Sequence, residues 1–325
     1  MSRAAAADTR TRAIDEGVEL PLRLKHWLWL FLVQSVWAGS YIGMKAAGDE
    51  MPVGIVVVLR YGLASAGLFA VAAFTGLPRF SRRDVVWVIF LGAFNFALAP
   101  TMQVASLRYT QAADVSILIA FEPMLMVVMA ALALGERPAR QTVFALLIGT
   151  VGMLVLSGIG APGGGAEARA RLWGNLLFVA SLLCEVSVSI SGRRLTSRYR
   201  PSQIMLAMKF AGFVVASLAY APVIAATDFA VFTPRAWIAV IFLAVGPSMF
   251  AYTMWYHILK TVPANQVVLS LFIQPLAGSV LGWWLLDEIL GLETLIGAVL
   301  VCSSLAWWQL RMAARRQMEP LDKPG

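Results

Sequence analysis

The chain has 325 residues, of which 59% are hydrophobic and 14% are charged, and its formal net charge is +8. Soluble domains contain roughly 45–50% apolar and about 25% charged residues, so this composition excludes an ordinary water-soluble protein and indicates an integral membrane protein. Two cysteines and two histidines exclude a disulfide framework and a zinc site, and no nucleotide-binding or hydrolase motif has the right context, so we expect no metal or other cofactor.

Apolar segments long enough to cross a bilayer, which requires about 17–25 residues, recur along the chain. They cover residues 27–46, 53–76, 84–106, 112–134, 139–158, 172–192, 202–224, 235–257, 264–286 and 292–311. Residues 1–26 form a polar arm, residues 159–171 form a Gly- and Ala-rich connector, and residues 312–325 form a polar tail. The predicted fold class is therefore an all-α integral membrane protein with ten transmembrane helices.

Basic residues indicate how these helices are oriented. Most of the 26 Lys and Arg residues lie in the arm, the tail and the loops on the same side as the N-terminus. Because cytoplasmic loops carry an excess of Lys and Arg, both termini are predicted to be cytoplasmic. The positive charge then faces the anionic headgroups of the lipid bilayer, and no nucleic-acid partner is needed to explain it.

An internal repeat relates residues 27–158 to residues 172–311. Shifts of 152 and 149 residues align similar side chains: Arg108 with Lys260, Glu122 with Gln274, Pro123 with Pro275, Glu136 with Glu288, Pro52 with Pro201, and Arg60 with Lys209. Each copy contains five predicted helices, an odd number, so the second copy enters the membrane from the opposite side. Such inverted repeats are typical of secondary transporters with a substrate site at the midplane between the halves, although a channel could share the symmetry.

Polar and aromatic residues at helical spacing predict the lining of a central cavity. Gln34, Trp37, Tyr41 and Lys45 form one stripe of the first predicted helix. The candidates on later helices are Asn95, Gln103, Glu122, Ser187, Ser191, Ser248, Tyr252, Trp255, Ser270 and Gln274. This lining carries few fixed charges and favours neutral or zwitterionic solutes over nucleotides or sugar phosphates. Packing is the alternative explanation for the aromatic residues.

Glu122 and the adjacent Pro123 interrupt an apolar segment. An ionisable group in the bilayer costs at least about 2.5 kcal/mol, so Glu122 is expected to face the cavity and either bind a substrate ammonium group or carry a proton. The alternative is that Glu122 caps backbone groups near Pro123 or neutralises Arg60. Pro123 and Pro275 each remove a backbone donor, and both are predicted hinges.

The other charged residues within or beside the predicted helices have simpler expected roles. Arg60 and Lys209 are interpreted as structural cations that snorkel or pair with a carboxylate. Glu185 is expected to be buried, but the sequence does not identify its partner. The gate or cap residues predicted at helix ends are Glu136, Asp287 and Glu288.

Two segments carry a resemblance to a known family. ASLRYTQAADVSILIAFEPMLMVVMAALALGE at 105–136 resembles the signature of the drug/metabolite transporter superfamily of the EamA type, and YHILKTVPANQVVLSLFIQPLAGSVLGWWLLDE at 256–288 repeats it. The resemblance extends over residues 27–311 and is greatest to bacterial amino-acid exporters, including those for aromatic amino acids. It implies two inverted five-helix bundles around a central cavity in the bacterial inner membrane. It also implies alternating access without ATP.

Other functions stay open at the level of sequence. The small-molecule substrate could belong to another class, such as a sugar or a drug, and a channel, facilitator or lipid scramblase would also fit the helix pattern. A membrane enzyme is disfavoured, because no nucleophile, metal site or acid pair occurs at a usable spacing. We expect a monomer or a weak homo-oligomer.

Overall fold

The computed structural model describes residues 24–76, 80–133, 137, 139–159, 165–191, 195, 198–259 and 269–318. All regular secondary structure in these residues is helical. The long helices are α1 (Leu24–Gly48), α2 (Val53–Thr75), α3 (Arg82–Ser106), α4 (Ala112–Ala133), α5 (Arg140–Leu156), α6 (Gly165–Ser191), α7 (Pro201–Ala219), α8 (Pro234–Val245, Gly246–Ala251 and Tyr252–Leu259), α9 (Leu269–Phe272 and Ile273–Leu286) and α10 (Leu292–Met318).

The outer surface of the helical bundle is apolar. Seven helical spans, in α2, α3, α4, α6, α7, α8 and α10, are long and apolar enough to cross a bilayer, and α5 and α9 contain shorter apolar helices. Large side chains point outward, as in Leu218, Leu276 and Ile289, which are 73%, 71% and 79% exposed. A surface with so many exposed apolar side chains requires a lipid environment. The protein is therefore a multi-pass membrane protein.

Three helices differ by five or more residues from their predicted bounds. α10 continues to Met318, seven residues into the predicted tail. α6 begins at Gly165, inside the predicted connector, because the residues that follow include Ala, Glu and Arg, which are strong helix formers. α7 ends at Ala219, five residues earlier than predicted, and a separate short helix follows at Ala221–Ala226. Pro222 lies in the first turn of this short helix, where its missing N–H is tolerated.

Local distortions recur in the two halves of the chain. A π turn interrupts α3 at Phe94–Leu98, and another interrupts α8 at Gly246–Ala251, 152 positions later. Tight 3₁₀ turns occur at Ile119–Phe121, just before Glu122 and Pro123, and at Leu269–Phe272, shortly before Gln274 and Pro275. Because proline cannot donate a backbone hydrogen bond, the α-helical ladder is broken at these points. The distortions follow the register of the sequence repeat.

Helix packing is the same when the two halves are exchanged. α1 packs against α8 and α9, and α6 packs in the equivalent way against α3 and α4. α2 packs against α7, α4 against α9, and α5 against α10. Glycines allow the closest crossings: a Cβ atom on Gly212 of α7 would lie 2.8 Å from the carbonyl oxygen of Gly92 on α3. The interior therefore lies between the halves and receives side chains from both.

Candidate functional site

Polar side chains from both halves meet inside the helical bundle. We call this group the central cluster. Its members are Gln34, Tyr41, Arg60, Gln103, Glu122, Glu185, Lys209, Ser248, Ser270 and Gln274. They come from α1, α2, α3, α4, α6, α7, α8 and α9.

An amide network joins α1 to α9 within the central cluster. The Gln34 side-chain amide donates to Ser270 Oγ at 2.8 Å, and the Gln274 amide donates to Gln34 Oε1 at 2.6 Å. The Tyr41 hydroxyl lies 3.5 Å from Gln274 Oε1, and its ring packs edge-on against Phe178 of α6. Gln34 and Gln274 are buried, and this chain of hydrogen bonds provides partners for their polar atoms inside the protein. The structure thus brings four of the predicted residues together.

Two carboxylates lie near the amide network. Gln103 Nε2 donates to Glu185 Oε1 at 3.1 Å, which gives Glu185 a partner that the sequence alone did not identify. The half-buried Glu122 is close enough to Glu185 for their charges to interact, and the charges of both also act on Tyr41. Among the described residues, no ion pair joins Glu122 to Arg60. The suggestion that Glu122 neutralises Arg60 therefore receives no support from their contacts.

Two buried cations belong to the central cluster, although the sequence suggested only a structural role for them. Arg60 Nε donates to Ser248 Oγ at 2.9 Å, and Arg60 Nη1 lies 3.4 Å from Met44 Sδ. Lys209 is completely buried, and its Nζ lies 4.1 Å and 4.0 Å from the ring centroids of Phe96 and Tyr252. Neither cation reaches the surface, so snorkelling is wrong for both. Their equivalent positions in the repeat are a sequence signal that could have indicated a place in the site.

Aromatic residues from α1, α3 and α8 form a wall beside the central cluster. The Trp37 ring makes edge contacts with Tyr252 and Trp255, at centroid distances of 5.6 Å and 5.2 Å. Phe96 extends the wall, since its ring contacts Tyr252 and Tyr61. We call Trp37, Phe96, Tyr252 and Trp255 the aromatic wall.

Two of the predicted lining residues in the described part of the chain take no part in this network. Asn95 is half-buried in the π turn of α3, and it makes no hydrogen bond to the cluster within the described part of the chain. The Ser187 hydroxyl donates to the carbonyl of Leu183 on its own helix. The side chain of Ser191 lies outside the described residues.

Lys45 lies at one end of the bundle, although the sequence predicted that it lines the central cavity together with Gln34, Trp37 and Tyr41. Its Nζ donates to the carbonyl of Thr110 at 2.8 Å and lies 3.8 Å from Glu288 Oε1. The Glu288 carboxylate accepts the backbone N–H groups of Ala112 and Ala113, at 2.7 Å and 3.0 Å. Glu288 therefore caps α4, a helix of the other half, where its charge also complements the helix dipole. Glu136, its predicted counterpart, lies outside the described residues.

A second ion pair closes the same end of the bundle. Arg171 of α6 holds Asp114 of α4 through two hydrogen bonds of 2.6 Å and 2.7 Å, and it also donates to Thr294 of α10 at 2.9 Å. Asp114 is fully buried, so this bidentate pair fixes the relative positions of three helices. We call Lys45, Asp114, Arg171 and Glu288 the end cluster. The sequence analysis identified only Lys45 and Glu288 of these four.

A neighbouring contact joins the turn after α1 to the segment before α8. Thr233 donates its backbone N–H and its hydroxyl to the Glu50 carboxylate, at 3.0 Å and 2.7 Å. These bonds hold the pKa of the Glu50 carboxyl below its usual value, since they favour the charged form. The contact adds a further link between the halves.

Known proteins resemble this chain over nearly its whole length. An uncharacterized transporter of Archaeoglobus fulgidus is 24% identical over 86% of this chain and 96% of its own length. A probable terminal-alkyne amino-acid exporter of Streptantibioticus cattleyicolor is 23% identical over 91% of this chain and 97% of its own length. One solved crystal structure superposes with a TM-score of 0.59 at 20% identity, covering 92% of this chain and 100% of that one, which supports the fold.

A family assignment follows from a match that occurs twice. The profile described as the EamA-like transporter family matches residues 24–158 and again residues 172–308. The two matches include α1 to α5 and α6 to α10, and therefore every helix that contributes to the central cluster. The function of this chain is transport and not enzymatic catalysis, and the chain belongs to the EamA-like transporter family.

Proposed function

We propose that the protein is a secondary transporter that exports neutral or aromatic amino acids across the bacterial inner membrane by alternating access. The observation that carries the proposal is the central cluster, where charged and amide groups from both halves meet inside an apolar bundle. Polar groups at that depth are expensive to keep, and in membrane proteins they mark substrate and ion pathways. A site shared by two repeats becomes accessible to either side when one half moves against the other.

The chemistry of the site favours a zwitterion with an apolar side chain. Glu122 and Glu185 provide carboxyl groups that can bind an ammonium group, while Arg60 and Lys209 provide basic groups that can bind a carboxylate. The aromatic wall offers contact area to an apolar side chain. The Streptantibioticus cattleyicolor relative, named as an exporter of an amino acid, supports the same substrate class.

The proposed architecture has ten spans arranged as two inverted five-helix repeats. The π turns at equivalent positions and the packing that is preserved on exchange of the halves support it. Pro123 and Pro275 would act as hinges, because each follows a tight turn where the helical ladder is broken. The repeats would extend over 27–158 and 172–311, with the connector and both cytoplasmic termini outside them, in a monomer or weak homo-oligomer.

Counterflow in proteoliposomes tests the function. Vesicles containing purified protein and loaded with unlabelled solute are diluted into labelled phenylalanine, leucine, alanine, glucose or a cationic drug. We expect saturable uptake that requires internal substrate and is strongest for phenylalanine and leucine. Counterflow with glucose or the drug alone would contradict the amino-acid assignment. A flux that rises linearly with concentration and ignores internal solute would identify a channel.

A further inference from the structure

The Lys209 ammonium group is buried without a hydrogen bond. Its side chain is completely inaccessible, and Nζ has no hydrogen-bond partner and no carboxylate within 4.0 Å among the described residues. The faces of Phe96 and Tyr252 stabilise its charge through cation–π contacts. Ring faces accept no conventional hydrogen bond, so the three N–H donors of an ammonium group stay unused. A buried donor left in this way is costly.

The internal repeat shows how Lys209 comes to lack a hydrogen bond. Arg60 on α2 is the counterpart of Lys209 on α7, and Ser248 on α8 is the counterpart of Phe96 on α3. In one half the cation meets a hydroxyl, since Arg60 Nε donates to Ser248 Oγ at 2.9 Å. In the other half the hydroxyl is replaced by a phenyl ring, and Lys209 lies over its face. The same crossing of helices therefore gives one satisfied cation and one unsatisfied cation.

The surroundings of Lys209 suit an anionic ligand with an apolar group attached. Tyr252 contacts both the Lys209 ammonium and the Trp37 ring, so the cation lies at the edge of the aromatic wall. The nearby Arg60 adds positive charge, and Glu185 supplies negative charge to the same region. A carboxylate would accept hydrogen bonds from these unused N–H donors, and ammonium–carboxylate hydrogen bonds are strong in a site without water.

We propose that Lys209 anchors the carboxylate of the transported substrate, with the apolar side chain against the aromatic wall and the ammonium group toward Glu122 and Glu185. This assignment rests on the proposed function, since it names the part of an amino acid that the site must recognise. It requires a substrate with a free carboxylate. Amides and esters of the same amino acid would offer the ammonium only a neutral carbonyl oxygen, which is a weaker acceptor than a carboxylate.

Competition during phenylalanine counterflow tests the anchor. The competitors are 3-phenylpropionate, which keeps the carboxylate and lacks the amine, and L-phenylalaninamide, which keeps the amine and lacks the carboxylate. We expect 3-phenylpropionate to compete at least about tenfold better than the amide in the unmodified protein. Lys209→Gln should remove this preference and raise the KM for phenylalanine at least about tenfold. Val214→Ala, on the same helix but partly exposed, should change neither value.

The outcomes separate the anchor from the transport function. If both compounds compete equally in the unmodified protein, Lys209 does not bind the substrate carboxylate, and the amino-acid transport proposal is unaffected. This result does not depend on the folding of any variant. If no amino acid is transported but 3-phenylpropionate raises the melting temperature of the unmodified protein and not of Lys209→Gln, the transport proposal fails and the anchor is supported. If neither transport nor stabilisation occurs, both are wrong.

Discussion

Glu122 and Gln274 occupy equivalent positions in the two copies, yet their contacts differ. Gln274 is buried and bonded to Gln34, so its amide holds α1 against α9. Glu122 is half-buried near Glu185, and among the described residues it forms no ion pair with Arg60. The sequence predicted that both positions face the interior, because polar residues in apolar helices do so. It could not predict that one side chain is structural, since that depends on which helix of the other half packs against it.

Replacing Glu122 with Gln tests its functional role. The amide keeps the shape and most hydrogen bonds but removes the charge, so we expect normal insertion and folding with amino-acid counterflow reduced at least several-fold. Glu167→Gln, an equivalent change at an exposed position of α6, serves as the control. Transport at the unmodified rate by Glu122→Gln between about pH 5.5 and 8 would assign Glu122 a structural role.

Glu288 provides a test of stability at the residue scale. The Glu288 carboxylate accepts hydrogen bonds from two backbone N–H groups and faces Lys45. Glu288→Gln removes its charge, so we expect the free energy of unfolding to fall by about 1.5–3 kcal/mol. The neighbouring Asp287 is exposed and adopts a left-handed conformation, which Asn tolerates, so Asp287→Asn is a matched control. Thermal unfolding in detergent measures both variants. Equal melting temperatures for the two would show that the cap of α4 contributes nothing.

At the scale of the element, apolar length predicted the helices because a bilayer imposes a minimum span on every one of them. The features of the helices that the sequence did not predict depend on local backbone geometry. The π turn at Gly246–Ala251 contains Pro247, which indicates a break in the helix but not its type, and the π turn at Phe94–Leu98 has no such residue. The early start of α6 at Gly165 was hidden by the Gly and Ala content that also characterises linkers.

The crossing of α3 and α7 depends on glycine at the contact. Gly212→Leu would drive a side chain into Phe96 and the carbonyl of Gly92, so we expect a loss of about 1–3 kcal/mol, as for an overpacked core. Val214→Leu is the control, since it adds a methylene at a partly exposed position two residues after Gly212. We expect it to change the free energy of unfolding very little. The melting temperature of each variant in detergent reports the difference. An unchanged melting temperature for Gly212→Leu would mean that the helices can separate without cost.

At the scale of the whole molecule, the links between the halves are unevenly distributed. The end cluster and the Glu50–Thr233 contact join five or more helical segments at one end of the bundle. The basic-residue pattern predicts that both termini are cytoplasmic and that this end lies on the other side of the membrane. This orientation is a prediction from the loop charges alone. The sequence did not predict the Arg171–Asp114 pair, since the two residues are 57 positions apart and belong to different halves.

Cysteine labelling tests the orientation of the molecule. Cys184 and Cys302 are first replaced, and single cysteines are then introduced at Ala226 or Ser81, which are both exposed. We expect a membrane-impermeant maleimide to label Ala226→Cys in intact cells. Ser81→Cys should react only after the membrane is permeabilised, which also controls for its intrinsic reactivity. Labelling of Ser81→Cys in intact cells would contradict the model of ten spans with both termini inside.

The π turns of α3 and α8 also bear on how such proteins diverge. One residue turns an α-helix by about 100°, so losing the extra residue of a π turn would rotate the rest of that helix by this amount relative to its neighbours. In α8 such a deletion would redirect Tyr252 and Trp255 while leaving Pro234–Val245 in place. We therefore expect a single-codon deletion or insertion at these turns to change the substrate range, because it reorients a whole face of side chains at once. Related genes that differ by one residue in these two helices are where we expect the sharpest changes of specificity.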